Sequence, residues 1–211
     1  MSSVAAASVL VGVILMLASK KTLVKNLGSI FTGFGLLFLG IDLMSDSMAP
    51  LRESAGFMNF IVAVSDSPLR PLFGILLGIV MTAVLQSSSA SVGVLQTLAM
   101  QGLVPLKFSV FVLFGQNIGT CITAILSSIG ANKNGKRAAL IHLYYNIICS
   151  SICLALYCLV TAIIDIPFLD GAISAWGVAA VHTAFKIVQI GRGALIAKPL
   201  VKLATLSVPD K

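Results

Sequence analysis

The sequence predicts an all-α integral membrane protein of about five membrane spans, with a re-entrant helical hairpin and a broken helix among them. Three observations carry that prediction. First, 58% of the 211 residues are hydrophobic and only 10% are charged, against a charged share of about 25% in soluble domains, and the mean hydropathy is +1.05. Second, the 14 Lys and Arg, set against 7 Asp and Glu, gather in a few connecting segments and not along one face. That pattern reads as membrane topology, not as nucleic-acid binding. Third, the apolar run from Leu72 to Met100 holds no charged residue, yet Gln86, Ser87, Ser88, Ser89 and Ser91 sit at its centre. Hydrocarbon offers those groups no partner, and an unpaired amide or hydroxyl there costs about 2 kcal/mol or more. Polar atoms at that depth mark a binding site.

The elements follow in chain order. Val4 to Ala18 is short for a span, and since no basic residue precedes it while Lys20, Lys21 and Lys25 follow, it reads as a short or partial span and not as a signal peptide. Leu27 to Met48 is a glycine-rich span whose Gly28, Gly33, Gly35 and Gly40 permit close approach of a neighbouring helix. Pro50 to Arg70 is mixed in character and reads as a short amphipathic helix and loop at the interface. The arm Leu72 to Leu85 would reach about 21 Å and the arm Ser91 to Gln101 about 17 Å, both short of a hydrocarbon core of about 30 Å. The run 72–101 is therefore either one continuous span or a hairpin with Gln86 to Ala90 at its tip.

Charge parity separates the two. With Lys20, Lys21 and Lys25 in the cytoplasm and 72–101 as a hairpin entering from outside, Lys107 to Ile129 crosses inward and leaves Lys133, Lys136 and Arg137 in the cytoplasm. Ala138 to Ile164 then runs outward to Asp165 and Asp170, and Ala172 to Ile190 returns to Arg192, Lys198 and Lys202. Every basic cluster is then inside, whereas a continuous span would reverse everything after it. Within 107–130, Gly115-Gln116-Asn117-Ile118-Gly119-Thr120 and then Thr123 form a second interruption, because each glycine weakens a helix by about 1 kcal/mol relative to alanine. The expected result is a broken helix facing the hairpin. Interrupted helices meeting at mid-membrane are how secondary transporters build their sites.

A half-helix that starts after a polar tip aims free N–H groups and its positive dipole end at an anion. Serine hydroxyls and the amides of Gln86, Gln116 and Asn117 add donors, while their oxygens and freed carbonyls are hard ligands for an alkali cation. The constellation points to co-binding of an oxyanion and sodium, with no organic cofactor. Plainer readings stand beside it: hydroxyls bonded back along a kinked helix for the serines, and a close helix crossing for 115–120. Asp42 and Asp46 read as solvated helix-end carboxylates, and His142 with Asn146 as an interhelical hydrogen bond. His182 and Lys186 share one face of the last span, with Lys186 snorkelling toward the cytoplasm. The four cysteines, Cys121, Cys149, Cys153 and Cys158, lie in apolar runs and read as small membrane residues, with no disulfide framework or metal site. No nucleophile, base and orienting group stand together, so an enzyme is not expected.

Gln86-Ser87-Ser88-Ser89 in its apolar flanks resembles the signature of the type II sodium-phosphate cotransporter family, and Gly115-Gln116-Asn117-Ile118-Gly119-Thr120 resembles the element that follows it there. Lys136-Arg137-Ala138-Ala139 with His142 and Asn146 is similar to the next turn and helix start. Gly35-Leu36-Leu37-Phe38-Leu39-Gly40 with Asp42-Leu43-Met44 is similar to the helix that opens a repeat. Two departures stand out: Lys186 takes the place of an asparagine after His182-Thr183-Ala184-Phe185, and Ile190-Gly191-Arg192-Gly193 interrupts an apolar run. The resemblance implies a multi-pass cell-membrane symporter of inorganic phosphate and sodium, built from two inverted repeats.

On that resemblance, residues 1–26 are a partial span and basic cytoplasmic segment, and 27–150 are the repeat, with its hairpin (72–101) and broken helix (107–130). Residues 151–211 are C-terminal spans and a basic tail. Phosphate would bind Gln86, Ser87, Ser88, Ser89, Gln116 and Asn117, and sodium would bind Gln86, Ser88, Ser89, Asn117, Thr120 and Thr123. The sequence holds one copy of each polar element, so a second repeat-bearing chain or a homodimer is expected to complete the site. The alternatives are a non-transporting half-transporter and a symporter of another small oxyanion.

Overall fold

The computed structural model describes residues 2–164 and 174–209, and all regular structure among them is helical. Asp165 and Asp170 lie outside the described residues. The chain divides into two compact units, Met1–Ser54 and Ala55–Lys211.

The first unit pairs α1 (Ser2–Ala18) with α2 (Thr22–Glu53) in antiparallel fashion. Two of the glycines expected to permit close approach do so: a Cβ on Gly28 would lie 2.6 Å from the carbonyl oxygen of Gly12, and one on Gly35 2.6 Å from that of Ala5. Gly33 and Gly40 face open space. Ser8 Oγ adds a bond to the carbonyl of Phe31 at 2.9 Å.

The second unit begins with the expected short helix, α3 (Ala55–Asp66). The run 72–100 then folds as two helices, α4 (Arg70–Leu85) and α5 (Ser88–Met100), which reverse at Gln86 and Ser87. At 16 and 13 residues their lengths are about 24 and 20 Å, too short to cross a hydrocarbon core of about 30 Å. Next come α6 (Leu106–Gly119) and α7 (Cys121–Ser127), then α8 (Lys133–Ile163) and α9 (Ala175–Ser207).

The helix from 107 onward is less broken than its composition predicts. Gly115, Gln116 and Asn117 stay helical, and the division falls at Thr120, whose φ of −56° and ψ of −25° are themselves helical. The reason is packing. A Cβ on Gly115 would run into the carbonyl of Ile75, one on Gly78 into that of Val112, and one on Gly119 would lie 2.9 Å from that of Ile79. Glycine here lets α4 and α6 touch backbone to backbone. The matched order of these contacts makes α4 and α6 parallel, as a hairpin between them requires.

Helices long and apolar enough to cross a membrane are found at Thr22–Ser47, Leu106–Ser127 and Lys133–Ile163. α8 starts earlier than expected because Asn132 Oδ1 accepts from the Gly135 N–H at 2.9 Å and caps it. α9 runs on past Ile190 without a break at Gly191–Gly193. Its far end is tied to the start of α8 by Arg137, whose Nε and guanidinium nitrogen donate to the Val208 carbonyl at 3.0 and 2.8 Å.

Polarity in this unit is inside out. Leu72, Leu76, Val80 and Val84 form an exposed apolar stripe on α4, while Thr82, Ser91, Gln116, Asn117, Asn146, Ser150 and Gln189 are buried. That distribution suits lipid outside and polar partners within.

Candidate functional site

The tip of the hairpin is built by two unlike residues. Gln86 is left-handed, with φ 52° and ψ 20°, the one non-glycine residue of positive φ among the described residues. Such a conformation costs about 1 kcal/mol for an L-residue with a Cβ. The Gln86 N–H is held by the Thr82 carbonyl at 2.8 Å. Ser87 is extended, and its Oγ accepts from the Ala90 N–H at 3.2 Å, capping α5. The first-turn N–H groups of Ser88 and Ser89 are left without helical partners, at the positive end of the helix dipole. Because the left-handed turn suits glycine and no hydrogen bond holds the amide among the described residues, Gln86→Gly is expected to leave stability within about 1 kcal/mol. Thermal unfolding checks this, and a loss well above that would show that the amide holds the tip.

Behind the tip, Thr82 Oγ1 donates to Ser91 Oγ at 3.0 Å, and Gln116 Nε2 donates to the Ser91 carbonyl at 2.9 Å. Ser91 is 0% and Gln116 2% exposed. The hairpin is thereby pinned to α6 at Gln116, which stands midway along the 22-residue stretch Leu106–Ser127. Gln116 Oε1 is buried with no hydrogen-bond partner, and such an orphan acceptor costs about 1–3 kcal/mol unless something binds it.

Asn117 turns the other way. Its Nδ2 donates to Ser150 Oγ at 3.0 Å, and its Oδ1 accepts from Lys186 Nζ at 2.6 Å. Thr120 Oγ1 donates back to the Gln116 carbonyl at 2.9 Å and Thr123 Oγ1 to the Thr120 carbonyl at 3.0 Å, leaving oxygen lone pairs on both hydroxyls. Gln86, Ser87 and Ser89 are exposed and Ser88 is half-buried. The structure thus brings Gln116 to the serine tip through Ser91 and sets Asn117 one residue on, against α8 and α9. Among the described residues no hydrogen bond joins the side chains of Gln86, Ser87, Ser88 or Ser89 directly to those of Gln116 or Asn117. A separate cavity of about 470 Å³ between Arg70, Lys107 and Thr161 contains none of these residues.

Three members of this polar core were not picked out from the sequence as site residues. Ser150 extends the row His142, Asn146 by four residues, so helical spacing marked it. Gln189 Nε2 reaches Asn146 Oδ1 at 3.4 Å, and Asn146 Nδ2 bonds the His142 carbonyl at 2.9 Å. Lys186, expected to snorkel, instead bonds Asn117 Oδ1 on α6. Its signal was a cation inside an expected apolar span, where an ionisable residue carries function by default.

The Na+/Pi-cotransporter family profile matches residues 1–46 and 54–190. YqeW of Bacillus subtilis (strain 168), named an uncharacterized protein, is 32% identical over 139 residues, which are 66% of this chain and 44% of that protein. YjbB of Escherichia coli (strain K12), provisionally named an inorganic phosphate export protein, is 26% identical over 146 residues, 69% of this chain and 26% of its own. Sodium-dependent phosphate transport protein 2B of Homo sapiens is 30% identical over 83 residues, 36% of this chain and 12% of its own. The matched stretch spans less than half the length of each of these relatives. No solved structure matches the chain.

Proposed function

Because the chain belongs to the Na+/Pi-cotransporter family, we propose that it is a unit of a multi-pass cell-membrane symporter of inorganic phosphate and sodium, with 27–150 as one of two inverted repeats. The observation that carries this reading is the meeting of the α5 N-terminus with Gln116 halfway along Leu106–Ser127. A helix N-terminus is a ready anion site. Phosphate oxygens accept from the free N–H groups of Ser88 and Ser89, from the hydroxyls of Ser87, Ser88 and Ser89, and from the Gln86 amide, with Gln116 and Asn117 behind.

Sodium takes oxygen ligands from Gln86, Ser88, Ser89, Asn117, Thr120 and Thr123, and the orphan Gln116 Oε1 adds an acceptor of the right chemistry. Binding of sodium neutralises the site, phosphate follows, and rocking of the hairpin alternates access. The exposed tip is completed by the equivalent tip of a second repeat, on a second chain or another copy of this one.

Radiolabelled phosphate uptake by the full chain in proteoliposomes tests this. Uptake is expected to rise with an inward sodium gradient and to vanish in Ser88→Trp. Uptake indifferent to sodium would contradict the coupling, and survival of uptake in Ser88→Trp would remove the assigned site. Competition by sulfate as strong as that by phosphate would shift the substrate to another oxyanion. The exposed tip also favours a second reading, a half-unit that transports only with a partner; cross-linking to a single-chain species together with full uptake would exclude it.

A further inference from the structure

Lys186 sits where the site described above meets α9. Its ammonium donates to Asn117 Oδ1 at 2.6 Å and lies 5.9 Å from the centre of the Phe185 ring. Asn117 follows Gln116, which holds the hairpin tip through Ser91, so two adjacent residues of α6 join the ammonium to the hairpin. Lys186 is half-buried, and the titratable groups within its electrostatic reach are Cys121, His142 and His182. Among the described residues, none of these neighbours is a carboxylate.

A lysine is not needed to satisfy an amide oxygen; a neutral donor such as glutamine serves equally well. A partly buried cation beside no carboxylate among the described residues is disfavoured, and a bound anion removes the penalty. An ammonium on a hard oxygen acceptor also stands where an alkali ion would otherwise bind.

We propose that Lys186 is a tethered cation of the oxyanion site: held on Asn117 Oδ1, it takes the place of one coupling cation and balances the charge of bound phosphate. The proposal rests on the phosphate reading of the tip. It gives Asn117 Oδ1 to Lys186 in place of sodium and leaves Gln86, Ser88, Ser89, Thr120, Thr123 and Gln116 Oε1 for sodium. Affinity for phosphate then survives the removal of sodium, while sodium still drives accumulation.

Equilibrium binding of radiolabelled inorganic phosphate to the full chain, in sodium chloride and in choline chloride at equal ionic strength, tests the proposal. The unaltered chain is expected to bind phosphate in choline within about tenfold of its affinity in sodium. Lys186→Met is expected to lose about tenfold or more in choline and to recover part of it in sodium, whereas Lys186→Arg, which keeps the charge, retains sodium-free binding. A lysine that only supports the fold would shift both salts alike. Phosphate binding by the unaltered chain in sodium alone, or a Lys186→Met chain that matches it in both salts, overturns the role of Lys186 and leaves the phosphate reading intact. Absence of binding in either salt overturns both. The comparison of salts on the unaltered chain stands even if Lys186→Met does not fold.

Discussion

Gly78→Leu is expected to unseat the hairpin from α6 and to abolish phosphate binding. A side chain at this position would run into the Val112 carbonyl and lie near the Gln116 N–H and Gly115, all backbone atoms that cannot rotate away. Overpacking of this kind costs about 1–3 kcal/mol where neighbours relax, and more where they are backbone. Gly33→Leu meets nothing within 4 Å and serves as the control. Thermal unfolding of the two variants in detergent checks the difference. Equal melting would show that α4 and α6 do not pack through Gly78.

Gln116→Leu is expected to separate function from stability. The variant loses the bond to the Ser91 carbonyl but also removes the buried orphan Oε1. A lost hydrogen bond and a relieved unsatisfied acceptor are each worth about 1 kcal/mol and oppose each other, so stability changes little. On the proposed site, phosphate binding is expected to fall by about tenfold or more, since the variant loses the amide behind the tip and the orphan acceptor offered to sodium. Melting temperature and phosphate affinity measured on the same sample distinguish this from a structural role, in which both would fall together.

The hairpin was legible because two physical constraints agreed. Arms of about 21 and 17 Å cannot cross a bilayer, and the signs of Lys20, Lys133 and Arg137 favour the parity that a hairpin gives. The α4–α5 reversal at Gln86 and the parallel course of α4 and α6 are those of a hairpin. Gly115 and Gly119 were harder, because glycine reports either an opened helix or a close crossing, and only the position of Ile75 and Ile79 on another helix decides between them. Lys186 was legible as an oddity but not as a partner of Asn117. That contact spans 69 residues, and periodicity within one helix carries no information about which neighbouring helix a side chain meets. The direction of Asn117, away from the serines and toward Ser150, was hidden for the same reason.

The central claim is that the tip formed by Gln86, Ser87, Ser88 and Ser89 binds phosphate. Its most direct test is alkylation of Ser89→Cys by a maleimide, read on the peptide by mass spectrometry, with and without inorganic phosphate. Ser89 is exposed, so the thiol is expected to react readily in chloride alone and about tenfold more slowly at saturating phosphate. Native Cys158, also exposed and on α8, serves as the internal control and is expected to react at one rate throughout. Protection of Cys158 and the Ser89→Cys thiol alike, or of neither, would contradict the assignment.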